Sequence, residues 1–190
     1  IVIDPHKHGL QPYGCGCVLF KDPEVGSFYK HDSPYTYFSS DELHLGEISL
    51  ECSRAGAAAV ALWATLKMFP LDVDGEFAVS LKRCRSAAMS LYDKLATDDR
   101  FITPLVPDLD IVIWASKAKT TSEISRLSQL TFERAEQKSL YLATFSYPSV
   151  LIKKVFPEVE VDTEYTTCMR SCLMKPEHQD WLETIWNIIE

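Results

Sequence analysis

The chain opens on an apolar run, Ile1-Val2-Ile3, that breaks at once into Asp4-Pro5-His6-Lys7-His8-Gly9. Three consecutive β-branched residues favour an extended strand, and Pro5 and Gly9 are turn formers, so Lys7 is placed on a tight turn at a strand end. A lysine there is either a solvated loop residue or an amine in a poorly solvated pocket, where it loses its charge cheaply and becomes a nucleophile. A second apolar run, Cys17 to Phe20, follows a stretch rich in glycine and proline from Gly9 to Gly16. The two runs predict short neighbouring strands buried on both faces.

Beyond them, periodicity lapses from Lys21 to Glu51 among Pro, Ser, Asp and aromatic residues, the composition of a long functional loop. Ala57 to Phe69 reads as a helix apolar nearly all round, entered through Ser53-Arg54-Ala55-Gly56 and stopped by Pro70, a pattern that predicts burial, either across the centre of a domain or at a subunit interface. The turn cluster Asp72-Val73-Asp74-Gly75 marks a boundary between a first domain, residues 1–72, and a second, residues 73–190. In the second, Glu76 to Leu95 and Thr121 to Gln137 read as amphipathic helices, with Ser122 as the cap of the latter. Phe101 to Val106, Ile111 to Ala115, Leu140 to Ser146 and Thr166 to Met174 read as strands, and Glu177 to Ile189 as a closing helix. That order predicts a small α+β domain of antiparallel strands covered by helices.

Composition narrows the function. A net charge of -8, with basic residues scattered apart from Lys82-Arg83-Cys84-Arg85, argues against a nucleic-acid partner. No apolar run approaches the ~18 residues of a membrane span. The six cysteines match neither a zinc template nor a dense disulfide framework, so they are expected to be reduced core thiols in a cytoplasmic protein. His6 and His8 lack a second pair of ligands, so no metal site is expected. Ile1 stands where a strand is already under way and no initiator methionine precedes it, from which we expect the later portion of a longer polypeptide.

Four segments, in this order and spacing, resemble the pyridoxal-phosphate-dependent group II amino-acid decarboxylases, which act on glutamate, aromatic amino acids, tyrosine or aspartate. They are Asp4-Pro5-His6-Lys7, Gly14-Cys15-Gly16-Cys17-Val18-Leu19-Phe20, Ser33-Pro34-Tyr35 and Cys52-Ser53-Arg54-Ala55-Gly56-Ala57. The resemblance implies an α/β fold: the later portion of a fold-type I large domain, followed by the small α+β domain. It implies that Lys7 forms the internal aldimine with pyridoxal 5'-phosphate and that His6 lies near the cofactor's phosphate. Asp4 stands where some members carry asparagine beside that phosphate. Tyr35 matches the mobile-loop tyrosine that protonates the substrate carbon after carbon dioxide leaves, with Tyr37 a close competitor. Arg54 is implied to support the cofactor pocket, and Arg170 to bind a substrate carboxylate.

In such enzymes the residues that hold the pyridinium nitrogen and stack on the cofactor precede the lysine. The resemblance therefore implies a partner, either a homodimer mate or a polypeptide carrying the N-terminal half. Two other classes share parts of the pattern: a carbon-carbon lyase of the sphingosine-phosphate lyase type, and a non-catalytic remnant that pairs with an intact relative.

Overall fold

The computed structural model describes residues 1–31, 45–48 and 56–190. They divide into two compact units, Ile1–Leu71 and Asp72–Glu190.

In the first unit, strands β1 (Val2–Ile3) and β2 (Cys17–Val18) pair antiparallel, Val2 opposite Val18 and Ile3 opposite Cys17. A 3-10 helix, Pro23–Tyr29, follows; Asp22 caps it by accepting from the Glu24 amide, and Pro23 suits its first position. Helix α1 (Leu45–Ile48) is one turn long and carries the buried Glu47. Helix α2 (Ala57–Met68) ends where Phe69 leaves helical geometry ahead of Pro70.

Two expectations fail here. The strands are not buried on both faces: Val2 is 73% exposed and Val18 57%. Nor does α2 cross the centre of a domain, since it has no buried residue and Trp63 is 62% exposed; the subunit-interface alternative is untested in a single chain. An apolar pattern requires a covering neighbour but cannot supply it, and the described residues of this unit leave these surfaces open.

In the second unit, helix α3 (Glu76–Thr97) buries Cys84, Ala87, Ala88, Leu91 and Leu95, a stripe at helical spacing. Strands β3 (Phe101–Ile102) and β4 (Ile111–Ser116), helix α4 (Thr121–Gln137), strand β5 (Ala143–Pro148), helix α5 (Ser149–Val155), strand β6 (Tyr165–Cys172) and helix α6 (His178–Ile189) complete it. The four strands form one sheet in the order β3-β4-β6-β5, and every adjacent pair is antiparallel.

The ladder gives the sheet two distinct faces. On one, Val112, Trp114, Met169 and Leu173 pack with Ala87, Ala88, Leu91 and Leu95 of α3, Leu182 of α6 and Phe132 of α4. On the other, Ala115, Cys168 and Tyr147 pack with Ile152 of α5 and with Val159. Burial there pushes the Cys168 thiol up to about 12, which keeps it protonated and inert.

Several element boundaries differ from those expected. Pairing of β3 stops at Ile102, before Thr103 and Pro104, because proline brings no N–H to a ladder. β5 begins later and runs on to Pro148, and β6 spans Tyr165–Cys172 rather than Thr166 to Met174. Helix α5 was not foreseen: Ser149–Val155 is a short apolar run without a full helical repeat to declare its period. The cap of α4 is Thr120 rather than Ser122, its hydroxyl accepting from the Glu123 amide at 3.2 Å. Ser122 is engaged elsewhere, because Asp162 grips the first turn of α4. Its Oδ1 accepts from the Thr121 hydroxyl at 2.7 Å and the Ser122 amide at 2.8 Å, and its Oδ2 accepts from the Ser122 hydroxyl.

Two predictions follow from this packing. The buried Trp114 indole donates to the Ser171 hydroxyl at 2.9 Å. Ser171→Ala, which leaves that N–H unpaired, is expected to cost about 1–3 kcal/mol in urea unfolding, with an unchanged denaturant slope. The Ser122 and Thr121 hydroxyls hold the Asp162 carboxyl well below the usual carboxylate range. A depressed carboxyl stabilises the fold above its ordinary pKa of about 4 and loses that contribution as pH falls below it. The stability advantage of the parent over Asp162→Ala is therefore expected to be constant near neutrality and to shrink below about pH 4 in thermal melts.

Candidate active site

The turn that carries Lys7 is closed by backbone hydrogen bonds. The Lys7 amide donates to the Asp4 carbonyl at 3.0 Å, and the Gln11 amide to the Pro5 carbonyl at 3.1 Å. Gly9 fits into this closure because a Cβ there would lie 2.6 Å from the Pro5 carbonyl oxygen. Leu10 adopts φ +59°, a left-handed conformation that costs a non-glycine residue roughly 1–2 kcal/mol. Strain of this kind persists only where the surroundings enforce it.

On this turn the structure brings together Asp4, His6 and Lys7. The Lys7 Nζ donates to Asp4 Oδ2 at 2.6 Å, three residues away. That bond holds the Asp4 carboxyl below its ordinary range. The poorly solvated pocket expected around the amine is absent from the described residues of this unit: the Lys7 side chain is 56% exposed, and its partner is a carboxylate. The His6 ring lies 5.5 Å from that of Tyr13, and its Nδ1 is 3.4 Å from the Cys15 carbonyl oxygen.

Tyr35, its competitor Tyr37, and Arg54 lie outside the described residues. Arg170 belongs to the second unit. It occupies β6 between Ile113 of β4 and Ala143 of β5, and it is exposed. It shares the sheet face of Cys168 rather than the one covered by α3, because alternate residues of a strand point the same way.

Two residues that the sequence did not single out complete the turn. The Gln11 carboxamide donates to the Gly9 carbonyl at 3.1 Å and to the Thr65 hydroxyl of α2 at 2.7 Å. The Cys15 thiol lies 3.8 Å from the Ala58 carbonyl oxygen of the same helix. No local pattern announces the Gln11–Thr65 pair, since its members stand 54 positions apart.

No protein-family model matches the chain. Among curated relatives, it is 28% identical over 151 residues to an L-tyrosine decarboxylase of Enterococcus faecium, a match spanning 75% of this chain and 24% of that protein. It is 28% identical over 135 residues to a probable L-tyrosine/L-aspartate decarboxylase of Methanothermobacter thermautotrophicus, spanning 68% of this chain and 33% of the relative. The chain thus spans about a quarter to a third of the length of these relatives. Among solved structures, Oryza sativa TDC with PLP and tryptamine superposes on 99% of this chain and 38% of its own, with a TM-score of 0.74 at 15% identity.

The fold is the α/β architecture of part of a fold-type I chain, about two fifths of the length of the solved structures on which it superposes. The sequence is similar over about two thirds to three quarters of its length to proteins named L-tyrosine decarboxylase and probable L-tyrosine/L-aspartate decarboxylase.

The Lys7–Asp4 bond is directly testable. Lys7→Ala is expected to return the Asp4 carboxyl to its ordinary titration midpoint in carboxyl carbon NMR, and an unmoved midpoint would show that the ion pair does not persist in solution.

Proposed function

We propose that this chain is the later part of a pyridoxal-phosphate-dependent decarboxylase that converts an L-amino acid to an amine and carbon dioxide, with Lys7 as the amine that holds the cofactor. The observation that carries the reading is the placement of Lys7: a single lysine on a closed, strained turn, with its amine accessible, in a chain homologous to decarboxylases. The names of the relatives favour tyrosine or aspartate as substrate class.

The residues present fit the covalent anchorage of an aldehyde cofactor. An accessible primary amine is the donor that such a group requires, and the imidazole of His6 lies on the same turn. Pyridoxal phosphate, when bound, supplies the conjugated acceptor for the electron pair left on the substrate's α-carbon as carbon dioxide departs. Lys7 would hold the group once its 2.6 Å ion pair with Asp4 opens and leaves the amine free to react. His6 and Asp4 would flank the cofactor, and Arg54 would support its pocket. Tyr35 would deliver the proton from its phenol oxygen to the substrate carbon, and Arg170 would bind a planar carboxylate through its guanidinium fork.

The remaining walls of the pocket would come from the polypeptide that carries the first half and from a homodimer mate. The open apolar surface of the first unit supports this: Leu19 and Phe20 beside the small sheet, and Val60, Trp63 and Met68 on α2, are exposed, and covering them would stabilise the assembly. Free Cys15, Cys17, Cys84, Cys168 and Cys172 suit a reducing, cytoplasmic compartment. Among the described residues no helix is long and apolar enough to cross a membrane.

Borohydride reduction of the assembled enzyme followed by peptide mass spectrometry is expected to find the pyridoxyl adduct on Lys7. Mapping to Lys21 or Lys30, or no adduct, overturns the assignment. Tyr35→Phe is expected to slow carbon dioxide release by about 10²–10⁴-fold, the usual contribution of a positioned proton donor, while leaving the adduct in place. An aldehyde product without carbon dioxide would instead indicate a carbon-carbon lyase.

A further inference from the structure

We infer that Gln11 is a positioning residue, whose buried carboxamide clamps the Lys7 turn to Thr65 of α2 and so sets where the Lys7 amine stands. The inference rests on the reading of Lys7 as the cofactor-holding amine.

Gln11 is 7% exposed in a segment where most side chains face solvent. Burying a carboxamide is unfavourable unless its polar atoms are engaged, and here both engagements bear on Lys7. The Gln11 amide grips the Pro5 carbonyl, two residues before the lysine. Its Nε2 grips the Gly9 carbonyl, two residues after it, and reaches on to the Thr65 hydroxyl. One residue thus holds both shoulders of the lysine turn and ties them to the last turn of α2. Leu10, strained at φ +59°, lies directly between the Gly9 and Gln11 contacts, so the clamp is what keeps that conformation populated.

The carboxamide suits this task in a way that close analogues do not. Its NH2 serves two acceptors at once, whereas glutamate has the same shape and no donor, and leucine fills the volume with neither. The Gln11 Oε1 is itself buried without a hydrogen-bond partner among the described residues. A helix-anchored turn also gives the amine a fixed origin, and a reacting group displaced by about 1 Å can lose about 10²-fold in rate.

The test compares Gln11→Leu, Thr65→Val, Thr65→Ser and the double variant Gln11→Leu/Thr65→Val in the assembled enzyme, with two readouts. Hydrogen exchange at the Lys7 and Gln11 amides reports the turn, and the pH profile of the bound cofactor's absorbance reports the setting of the amine. Thr65→Val, which loses one hydrogen bond, is expected to speed exchange about tenfold, Gln11→Leu, which loses two, to speed it further, and both to displace the profile. The double variant is expected to go no further than Gln11→Leu alone, and Thr65→Ser, which keeps the hydroxyl, to behave as the parent. Additive effects, a Thr65→Val variant indistinguishable from the parent, or a lowered melting temperature with an unmoved profile would overturn the clamp. If the parent itself carries no cofactor on Lys7, the functional reading fails, and hydrogen exchange still decides whether Gln11 and Thr65 hold the turn.

Discussion

An amine can be aimed only if the backbone that carries it has one conformation, and in this chain that constraint is met by closing a short turn on itself. Gln11 returns to Pro5, Lys7 to Asp4, and Gly9 occupies a space that no side chain could enter. The closure forces Leu10 into left-handed geometry, an unfavourable term that the local hydrogen bonds must outweigh. The first unit depends on this turn, because the turn is what links the two-stranded sheet to α2 through the Gln11 and Cys15 contacts.

The two units are held by different physics. In the second, a four-stranded sheet buries one face under three helices, and the interior is apolar with a few satisfied polar pairs such as Trp114 with Ser171 and Ser149 with Thr166. Hydrophobic burial carries that unit and polar pairing gives it register. In the first, apolar residues of β1, β2 and α2 stay exposed, while the buried side chains include Gln11 and Glu47. Apolar side chains left open in this way favour a covering surface, which the proposed function assigns to a partner. This agrees with a chain that spans about a quarter to a third of its relatives' length.

For the site, the consequence is a division of labour. Under the proposed function the turn would supply the Lys7 amine, which is paired with Asp4, and β6 of the second unit carries the exposed Arg170. Neither alone excludes water. Under that reading, closure of the reacting centre, which strengthens every electrostatic contact within it, would fall to the proposed partner.

Much of the second unit was legible beforehand, since the stripe from Cys84 to Leu95 and the alternation along Ile111–Ser116 declare helix and strand through local period alone. The lysine turn was legible for the same reason, because Pro5 and Gly9 act on their immediate neighbours. What local pattern could not convey is which surfaces meet. The apolar circumference of α2 reads as buried whether or not a neighbour is present, and α5 is too short to show a period. Thr120 outcompetes Ser122 as the cap because a distant aspartate, Asp162, has already engaged Ser122. Sequence by itself thus determined the kinds of elements and the residue that bears the amine, because those follow from contacts a few positions apart. The tertiary structure alone decided the exposure of that amine, the face on which Arg170 stands and the bond from Gln11 to Thr65, because each depends on groups brought together across tens of residues.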